Sequence, residues 1–199
     1  MDSRMFGWVA LSFALATTLA GCSAQQVRYG DAAAVETLTE EWGSTDLQSV
    51  ADRMVGSMVR SPVIVNGSRP VVQVSRLKNK TSEHIDTKSV TDKIRTALIR
   101  TGMVRFTAVS DANREMLENL DYQQGSGVVS KETQKTIGKQ IGAAYLLYGE
   151  IGSIVKKVGR TTDVYYKLTL NLVDVESGII EWSDEKEIRK QAERPFFGS

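Results

Sequence analysis

The sequence predicts an α+β domain, in which a mixed β-sheet with a C-terminal antiparallel meander packs against helices on one side. Two patterns support this fold class. In the middle of the chain, apolar residues recur at three- and four-residue steps, which is the spacing of amphipathic helices. In the C-terminal third the period changes to two, because an apolar residue occupies every second position of residues 164–172. Such alternation is typical of a strand with one buried face.

The first helix is expected to begin at Ser44. Ser44 and Asp46 suit the N-terminal cap of a helix. From Leu47 onward the apolar side chains fall on one face, until Pro62 ends the helix. This face is expected to pack on the core, because the opposite face lacks the basic residues of a membrane-surface helix.

Strands and helices then alternate along the chain. The predicted elements are strand 69–77, helix 87–101, strand 104–109, helix 111–120 and helix 130–142. Gly102 suits the position just after the first of these helices. Ser130 is expected to cap the last one, with Ile137 and Ile141 facing inward. The polar stretch "KNKTSEHID", residues 78–86, is predicted to be a loop.

The predicted meander consists of three strands, at 145–155, 164–172 and 179–188. "KKVGRTTD" is predicted to form the first turn and "VESG" a tighter second turn. Upstream, the strand–helix–strand step from residue 71 to residue 109 gives a right-handed crossover if its two strands are parallel.

The N-terminus has the features of an export signal. Arg4 precedes an apolar stretch, residues 5–19, that is too short for a comfortable membrane span. Residues 19–22, "LAGC", resemble the bacterial lipobox. The resemblance implies that the chain is cut before Cys22, that the cysteine sulfur receives a diacylglycerol and the new amino group a third acyl chain, and that Ser23 directs the protein to the outer membrane. The alternative is a free or buried thiol after an uncleaved helix.

These features divide the chain into a signal peptide (1–21), a lipidated flexible tether (22–43) and a single globular domain (44–199). A tether of about 20 residues reaches roughly 70 Å when fully extended and about 25 Å as a flexible coil. Cys22 is the only cysteine in the chain. The exported domain is therefore expected to fold without a disulfide, on its core alone.

Charge and composition argue against several classes of partner and cofactor. The net charge is +1 with both signs interspersed, which makes nucleic acid a poor partner. A catalytic triad or a histidine-based zinc site would depend on His84, the only histidine, which lies in a polar loop. The Gly-Ser-Gly of residues 125–127 lacks the strand and helix of a nucleotide-binding fingerprint. No metal and no cofactor is predicted.

Three features leave alternatives open. Glu150, within the apolar "LLYGEIG", could be a glycan-cleaving acid, but an outward or edge position in a strand is the favoured alternative. Lys156, Lys157 and Arg160 cluster at a predicted turn, which is either simply solvated or a contact for an acidic partner or a glycan. The aromatic tail "RPFFGS", residues 194–199, either packs over the domain or contacts a partner.

Several stretches together resemble the LpoB family. In residues 71–109, Asn79 and Thr81 stand in the loop and Gly102 follows the helix, as in that family. "GAAYLLYGE" and "SGIIEWSDEKEIRK" come later in the same order. The resemblance covers roughly residues 65–190. It implies a fold similar to the N-terminal domain of TolB.

The resemblance also implies a non-catalytic function. Members of the LpoB family are outer-membrane lipoproteins that bind and activate a class A penicillin-binding protein, which is a bifunctional peptidoglycan synthase. Because loops carry recognition, the contact is expected at the 78–86 loop, with Asn79, Thr81, Glu83 and His84 as candidates. The best-known members have a long proline-rich tether, whereas this tether is short and the whole chain contains only three prolines.

Two other functions stay open. The chain could be another envelope assembly or secretion lipoprotein, related to curli-type export components, which an exposed sheet edge and a ring-forming interface would indicate. It could also be a glycan-cleaving enzyme, which a concave pocket holding two acids in unlike environments would indicate.

Overall fold

A computed structural model describes residues 30–32, 34–36, 39–108, 110–135 and 140–194, with only the backbone at 110 and 111. The contacts within the chain divide it into two units, Met1–Asp31 and Ala32–Ser199. Every helix and strand described here belongs to the second unit. The predicted lipidation site Cys22, the signal peptide, Ile137 and the tail after Arg194 lie outside the described residues.

The described residues of this unit form four helices and six strands. The helices are α1 (Ser44–Met58), α2 (Pro62–Val65), α3 (Thr87–Arg100) and α4 (Ser110–Gly125). The strands are β1 (Val71–Val74), β2 (Lys78–Lys80), β3 (Arg105–Phe106), β4 (Tyr145–Val158), β5 (Thr161–Asp174) and β6 (Ile180–Glu193).

The sheet is mixed, as predicted. Its strands run in the order β3-β1-β4-β5-β6, and β2 pairs with β4 further along than β1 does. β1 is parallel to both β3 and β4, whereas β4, β5 and β6 form the antiparallel meander. The chain passes through α3 between the parallel strands β1 and β3. The predicted strand–helix–strand step and the meander are thus confirmed.

Helices α1 and α3 cover one face of the sheet. Their most buried apolar residues are Val50, Met54 and Met58 in α1 and Val90, Ile94 and Leu98 in α3. These side chains join one core with the alternate residues of β5 from Val164 to Leu172, which are at most 3% exposed. The indole Nε1 of Trp182 donates to Ser57 Oγ at 3.2 Å and so links β6 to α1. The apolar residues that alternate in the sequence between Val164 and Leu172 therefore form the inward face of β5.

The predicted helix at 130–142 is wrong. Within the part of this segment that the structure describes, the Ser130 carbonyl accepts hydrogen bonds from the N–H groups of Thr133 and Gln134, both at 3.1 Å, and no helix follows. Ile141, predicted to face inward, is 64% exposed. The segment offers few apolar residues for burial, while a glycine inside a helix costs about 1 kcal/mol. Local propensity and packing therefore both fail to support a helix here.

The predicted turn at 156–163 and the predicted loop at 78–86 also need correction. The "KKVGRTTD" turn is shorter than expected, because Lys156–Val158 pairs with Thr161–Asp163 and leaves only Gly159 and Arg160 in the turn. Gly159 has φ +57°, which suits a glycine. The predicted loop at 78–86 begins with strand β2, which pairs with β4. All three residues of β2 are polar and exposed, so no hydrophobic pattern could indicate it.

Candidate functional site: a groove on the open face of the sheet

The face of the sheet opposite α1 and α3 carries the outward residues of the long strands. In β5 these are Tyr165, Lys167, Thr169 and Asn171, which are half-buried or exposed while their neighbours in sequence are buried. We call this surface the open face. It is polar, and a groove crosses it where β1, β2 and β4 meet.

An irregularity between β1 and β2 creates this groove. Val74 pairs with Leu147, and Lys78 pairs with Glu150. Four residues on one side therefore span three on the other, so the chain bulges between the two strands. The bulge is held by the Ser75 N–H, which donates to the Leu147 carbonyl at 2.8 Å.

The groove encloses a volume of about 510 Å³. Its walls carry the cations Arg76, Lys78 and Lys167, together with Tyr148 and a single carboxylate, that of Glu150. Arg76, Lys78 and Lys167 are exposed. The groove is therefore positively charged and accessible, which suits an acidic protein surface. We call it the basic groove.

The Glu150 carboxylate is bound to a lysine from β2. Glu150 Oε2 lies 2.8 Å from Lys80 Nζ. The hydrogen bond from Lys80, with further attraction from Lys78 and Lys167, lowers the pKa of Glu150 below its ordinary value. A glycan-cleaving general acid requires the opposite, a carboxyl whose pKa is raised. Glu150 thus has the outward position that the sequence favoured, and its chemistry argues against an acid catalyst.

Two glycines of β4 lie near the groove, on opposite faces of the sheet. Gly149 faces the core opposite Leu170, and a Cβ there would lie 2.1 Å from the Thr169 carbonyl oxygen. Only glycine permits β4 and β5 to approach so closely. Gly152 lies on the open face, and a Cβ there would meet no atom within 4 Å. Packing therefore does not require glycine at position 152. The absence of a side chain there leaves the backbone of the open face accessible.

Residues 79–84, within the predicted 78–86 loop, border this surface and are held by internal hydrogen bonds. Asn79 Oδ1 accepts from the Thr81 N–H at 2.9 Å, and Asn79 Nδ2 donates to the Glu83 carbonyl at 2.8 Å. Thr81 Oγ1 in turn accepts from the Glu83 N–H at 3.2 Å. Asn79 and Thr81 therefore fix the loop backbone in an Asx-type turn. His84 is exposed on its outer side.

Glu83 connects the loop to the start of the domain. Its Oε2 accepts from the Trp42 N–H at 3.0 Å, and its Oε1 accepts from the Tyr166 hydroxyl. The ring of Trp42 packs edge-on against that of Tyr166 with centroids 5.6 Å apart. Burial, and after it the contact with Glu83, raises the pKa of Tyr166, so the hydroxyl stays protonated and donates.

A buried ion pair extends these contacts. Lys190 Nζ lies 2.5 Å from Asp46 Oδ2 and donates to the Glu41 carbonyl at 2.5 Å. Asp46 also accepts from the Gly43 N–H at 2.9 Å, which caps α1. We refer to Trp42, Glu83, Tyr166, Asp46 and Lys190 as the junction cluster. Ordered packing therefore begins before Ser44, within the segment predicted to be tether.

The sequence pattern did not indicate the junction cluster. One local signal was present: Trp42 stands just before the N-cap residue Gly43 and five residues before Leu47, the spacing of a hydrophobic staple. Both Trp42 and Leu47 pack against the core. The contacts within the cluster join residues that lie 41 (Trp42 and Glu83) to 144 (Asp46 and Lys190) positions apart in sequence, a separation that no local pattern reveals.

The described residues contain no group of three or more histidine, cysteine or acidic side chains able to hold a metal ion. Among the helices in this part of the chain, none combines the length and apolar character needed to cross a bilayer. The site consists of an exposed basic groove and an ordered loop beside it. Such a site is typical of a domain that recognises another macromolecule.

The chain belongs to the LpoB family. The family model described as "Peptidoglycan-synthase activator LpoB" matches residues 46–188, which include most of α1, the loop, the groove and most of the meander. No curated protein sequence matches the chain significantly.

Solved structures of similar fold include the LpoB C-terminal domain from Escherichia coli, at 20% identity and a TM-score of 0.46, covering 72% of this chain and 98% of that one. The same domain from Salmonella enterica has 20% identity and a TM-score of 0.44, covering 73% and 99%. Lipoprotein GNA1162 from Neisseria meningitidis has 13% identity and a TM-score of 0.40, covering 62% and 84%.

Proposed function

We propose that this protein is an outer-membrane lipoprotein that binds a class A penicillin-binding protein and activates its peptidoglycan synthesis. Membership of a family of peptidoglycan-synthase activators supports the activity. The "LAGC" sequence at residues 19–22 supports the lipid anchor at Cys22. Cleavage before Cys22 leaves a tether that keeps the domain on the periplasmic side of the membrane.

The observation that supports this mechanism most directly is the basic groove beside an ordered loop. Arg76, Lys78 and Lys167 offer positive charge at an accessible surface. A complementary acidic surface on the synthase would be attracted at long range and oriented on approach. Tyr148 supplies an aromatic side chain next to these cations, and aromatic side chains frequently dominate the energy of interfaces.

The loop residues predicted from the sequence divide into two roles in this proposal. Asn79, Thr81 and Glu83 hold the loop in one conformation, which reduces the entropy lost on binding. His84 is exposed and is the member best placed to contact a partner. Because β2 pairs with β4, the loop and the basic groove form adjacent parts of one contact surface.

Activation in this proposal requires no chemistry from the lipoprotein itself. A ligand shifts a conformational equilibrium only by binding one state more tightly than the other. The groove would therefore bind the active conformation of the synthase more tightly than its resting conformation. The short tether implies that the synthase domain extends toward the outer membrane to meet it.

The test is glycan polymerisation by a purified class A synthase from the same cell, with and without residues 30–199 of this chain. We expect a several-fold higher rate with the domain present, and saturable binding. An unchanged rate together with absent binding would contradict the proposal. Binding instead to an envelope secretion protein, with assembly into rings, would favour the export alternative.

The lipid anchor has its own test. Mass spectrometry of the membrane-extracted protein should find a mature N-terminus at Cys22 that carries three acyl chains. Single acyl chains give only marginal membrane binding, whereas additional chains make release negligible. An intact leader with an unmodified Cys22 thiol would contradict the anchor without affecting the groove.

A further inference from the structure

The tip of the β4–β5 hairpin is a second surface with unusual composition. Its apolar side chains point into solvent: Val158 is 77% exposed, Ile154 60% and Val155 42%. Exposed valine and isoleucine are common singly, but three within five residues at a protruding turn form a patch. They lie beyond the buried part of β4, because the last buried position of that strand is Ile151.

Two lysines lie between these apolar residues in the sequence. Lys156 and Lys157 are exposed, and neither forms an ion pair with another described residue. Asp163, opposite Lys156 in register, is bound by Arg189, whose Nε lies 3.0 Å from Asp163 Oδ1. That carboxylate is therefore already occupied by a guanidinium. The tip thus presents positive charge around an apolar centre.

Arg194, the residue after the end of β6, also lies beside the hairpin tip. Arg160 Nε donates to the Arg194 carbonyl at 2.8 Å, and the Arg194 N–H donates to the Arg160 carbonyl at 3.0 Å. Arg194 is exposed and so adds a further cation beside the tip.

We propose that the β4–β5 hairpin tip binds an anionic phospholipid surface. Lys156 and Lys157 would lie at the level of the phosphates, while Val158, the residue of β4 nearest the turn, would enter the interface between headgroups and acyl chains. Juxtamembrane lysines and arginines each contribute about 1 kcal/mol of attraction to an anionic leaflet. A polysaccharide would match the lysines but would gain little from exposed valine and isoleucine, and a tip that serves an acidic protein instead would not bind vesicles. This proposal is independent of the activator function, because the tip is separate from the basic groove.

The test is sedimentation of residues 30–199 with vesicles. This stretch lacks Cys22, so no lipid anchor contributes to binding, and it retains the whole core, which lies between Trp42 and Lys190. We expect binding to phosphatidylethanolamine vesicles that contain phosphatidylglycerol, weak binding to phosphatidylcholine vesicles, and release as salt is raised.

Three variants make the test specific. Lys156→Glu/Lys157→Glu should weaken partition into anionic vesicles roughly 25-fold or more. Val158→Asn, which keeps both lysines and the net charge, should also weaken it, because a polar amide gains nothing from entering the interface between headgroups and acyl chains. The control Lys93→Glu/Lys131→Glu makes the same change in net charge at two other exposed lysines and should bind as the unaltered chain does.

Several results would overturn the proposal. They are no sedimentation with anionic vesicles, equal binding to neutral vesicles, or equal losses in the tip variant and the control. Full binding by Val158→Asn would reduce the effect to charge alone and would exclude insertion. Circular dichroism of each variant establishes that it is folded. Glycan polymerisation with the tip variant should be stimulated normally, so failure of this proposal is distinguishable from failure of the activator function.

Discussion

The Trp42 main-chain N–H donates to Glu83 Oε2 at 3.0 Å and thereby joins the end of the tether to the predicted recognition loop. The same carboxylate accepts from the Tyr166 hydroxyl in β5. One side chain thus holds three separate segments together. Glu83 was expected from the sequence to contact a partner, and in the fold its oxygens are already occupied by these internal donors.

Replacing this carboxylate should destabilise the domain. Glu83→Ala leaves the Tyr166 hydroxyl and the Trp42 N–H without their acceptor, and we expect a loss of about 2 kcal/mol in the free energy of unfolding. Urea denaturation of residues 30–199 measures it. The control Glu132→Ala changes an exposed glutamate and should shift stability by less than about 0.5 kcal/mol. Equal stability of both variants would contradict the role assigned to Glu83.

The glycines of β4 provide a matched pair. Gly149→Ala places a methyl group 2.1 Å from the Thr169 carbonyl oxygen, and relieving such a clash should cost about 2 to 3 kcal/mol. Gly152→Ala meets nothing within 4 Å and should be neutral or should stabilise by up to about 1 kcal/mol, since alanine loses less entropy on folding. Thermal unfolding of the two variants compares them directly. A larger loss at Gly152 than at Gly149 would refute the assigned packing.

Acid should remove part of the stability through the cap of α3. Asp86 Oδ1 accepts from the N–H groups of Lys88 and Ser89, at 3.0 and 3.2 Å. The hydrogen bond from the Ser89 side chain and those from the backbone lower the pKa of Asp86. A folded-state pKa below the unfolded value of 3.8 gives stability that is present above that pH and is lost as the pH falls through the folded-state pKa.

The variant Asp86→Asn separates this contribution from the other carboxylates. Asparagine also caps helices but does not ionise, so the difference in melting temperature between the two proteins should be largest at neutral pH. It should shrink as the pH falls below about 3.8. A difference that stays constant between pH 7 and pH 2.5 would show that Asp86 is not held ionised by α3.

The sequence predicted those parts of the fold that depend on local periodicity. Helices α1 and α3 each have an apolar stripe, and β5 alternates strictly, so the burial of one face explains them completely. The mixed sheet and its meander followed from the order of these elements. The family resemblance, which rested on quoted motifs between residues 65 and 190, was confirmed by the match over residues 46–188.

Other parts were not accessible to pattern analysis. Strand β2 consists of three exposed polar residues that pair with β4 through the backbone and carry no apolar pattern. The basic groove arises from a one-residue irregularity between β1 and β2, and the junction cluster from side chains far apart in sequence. The helix expected at 130–142 failed because a weak apolar period is insufficient without burial.

The most direct measurement for the central claim is the affinity of the synthase for variants of the basic groove. Arg76→Glu/Lys78→Glu reverses two cations that line the groove, and Lys93→Glu/Lys131→Glu is the charge-matched control outside it. Calorimetric titration at fixed ionic strength should give a dissociation constant roughly tenfold or more above that of the unaltered domain for the groove variant only. Equal affinities for the groove variant, the control and the unaltered domain would contradict recognition through the open face.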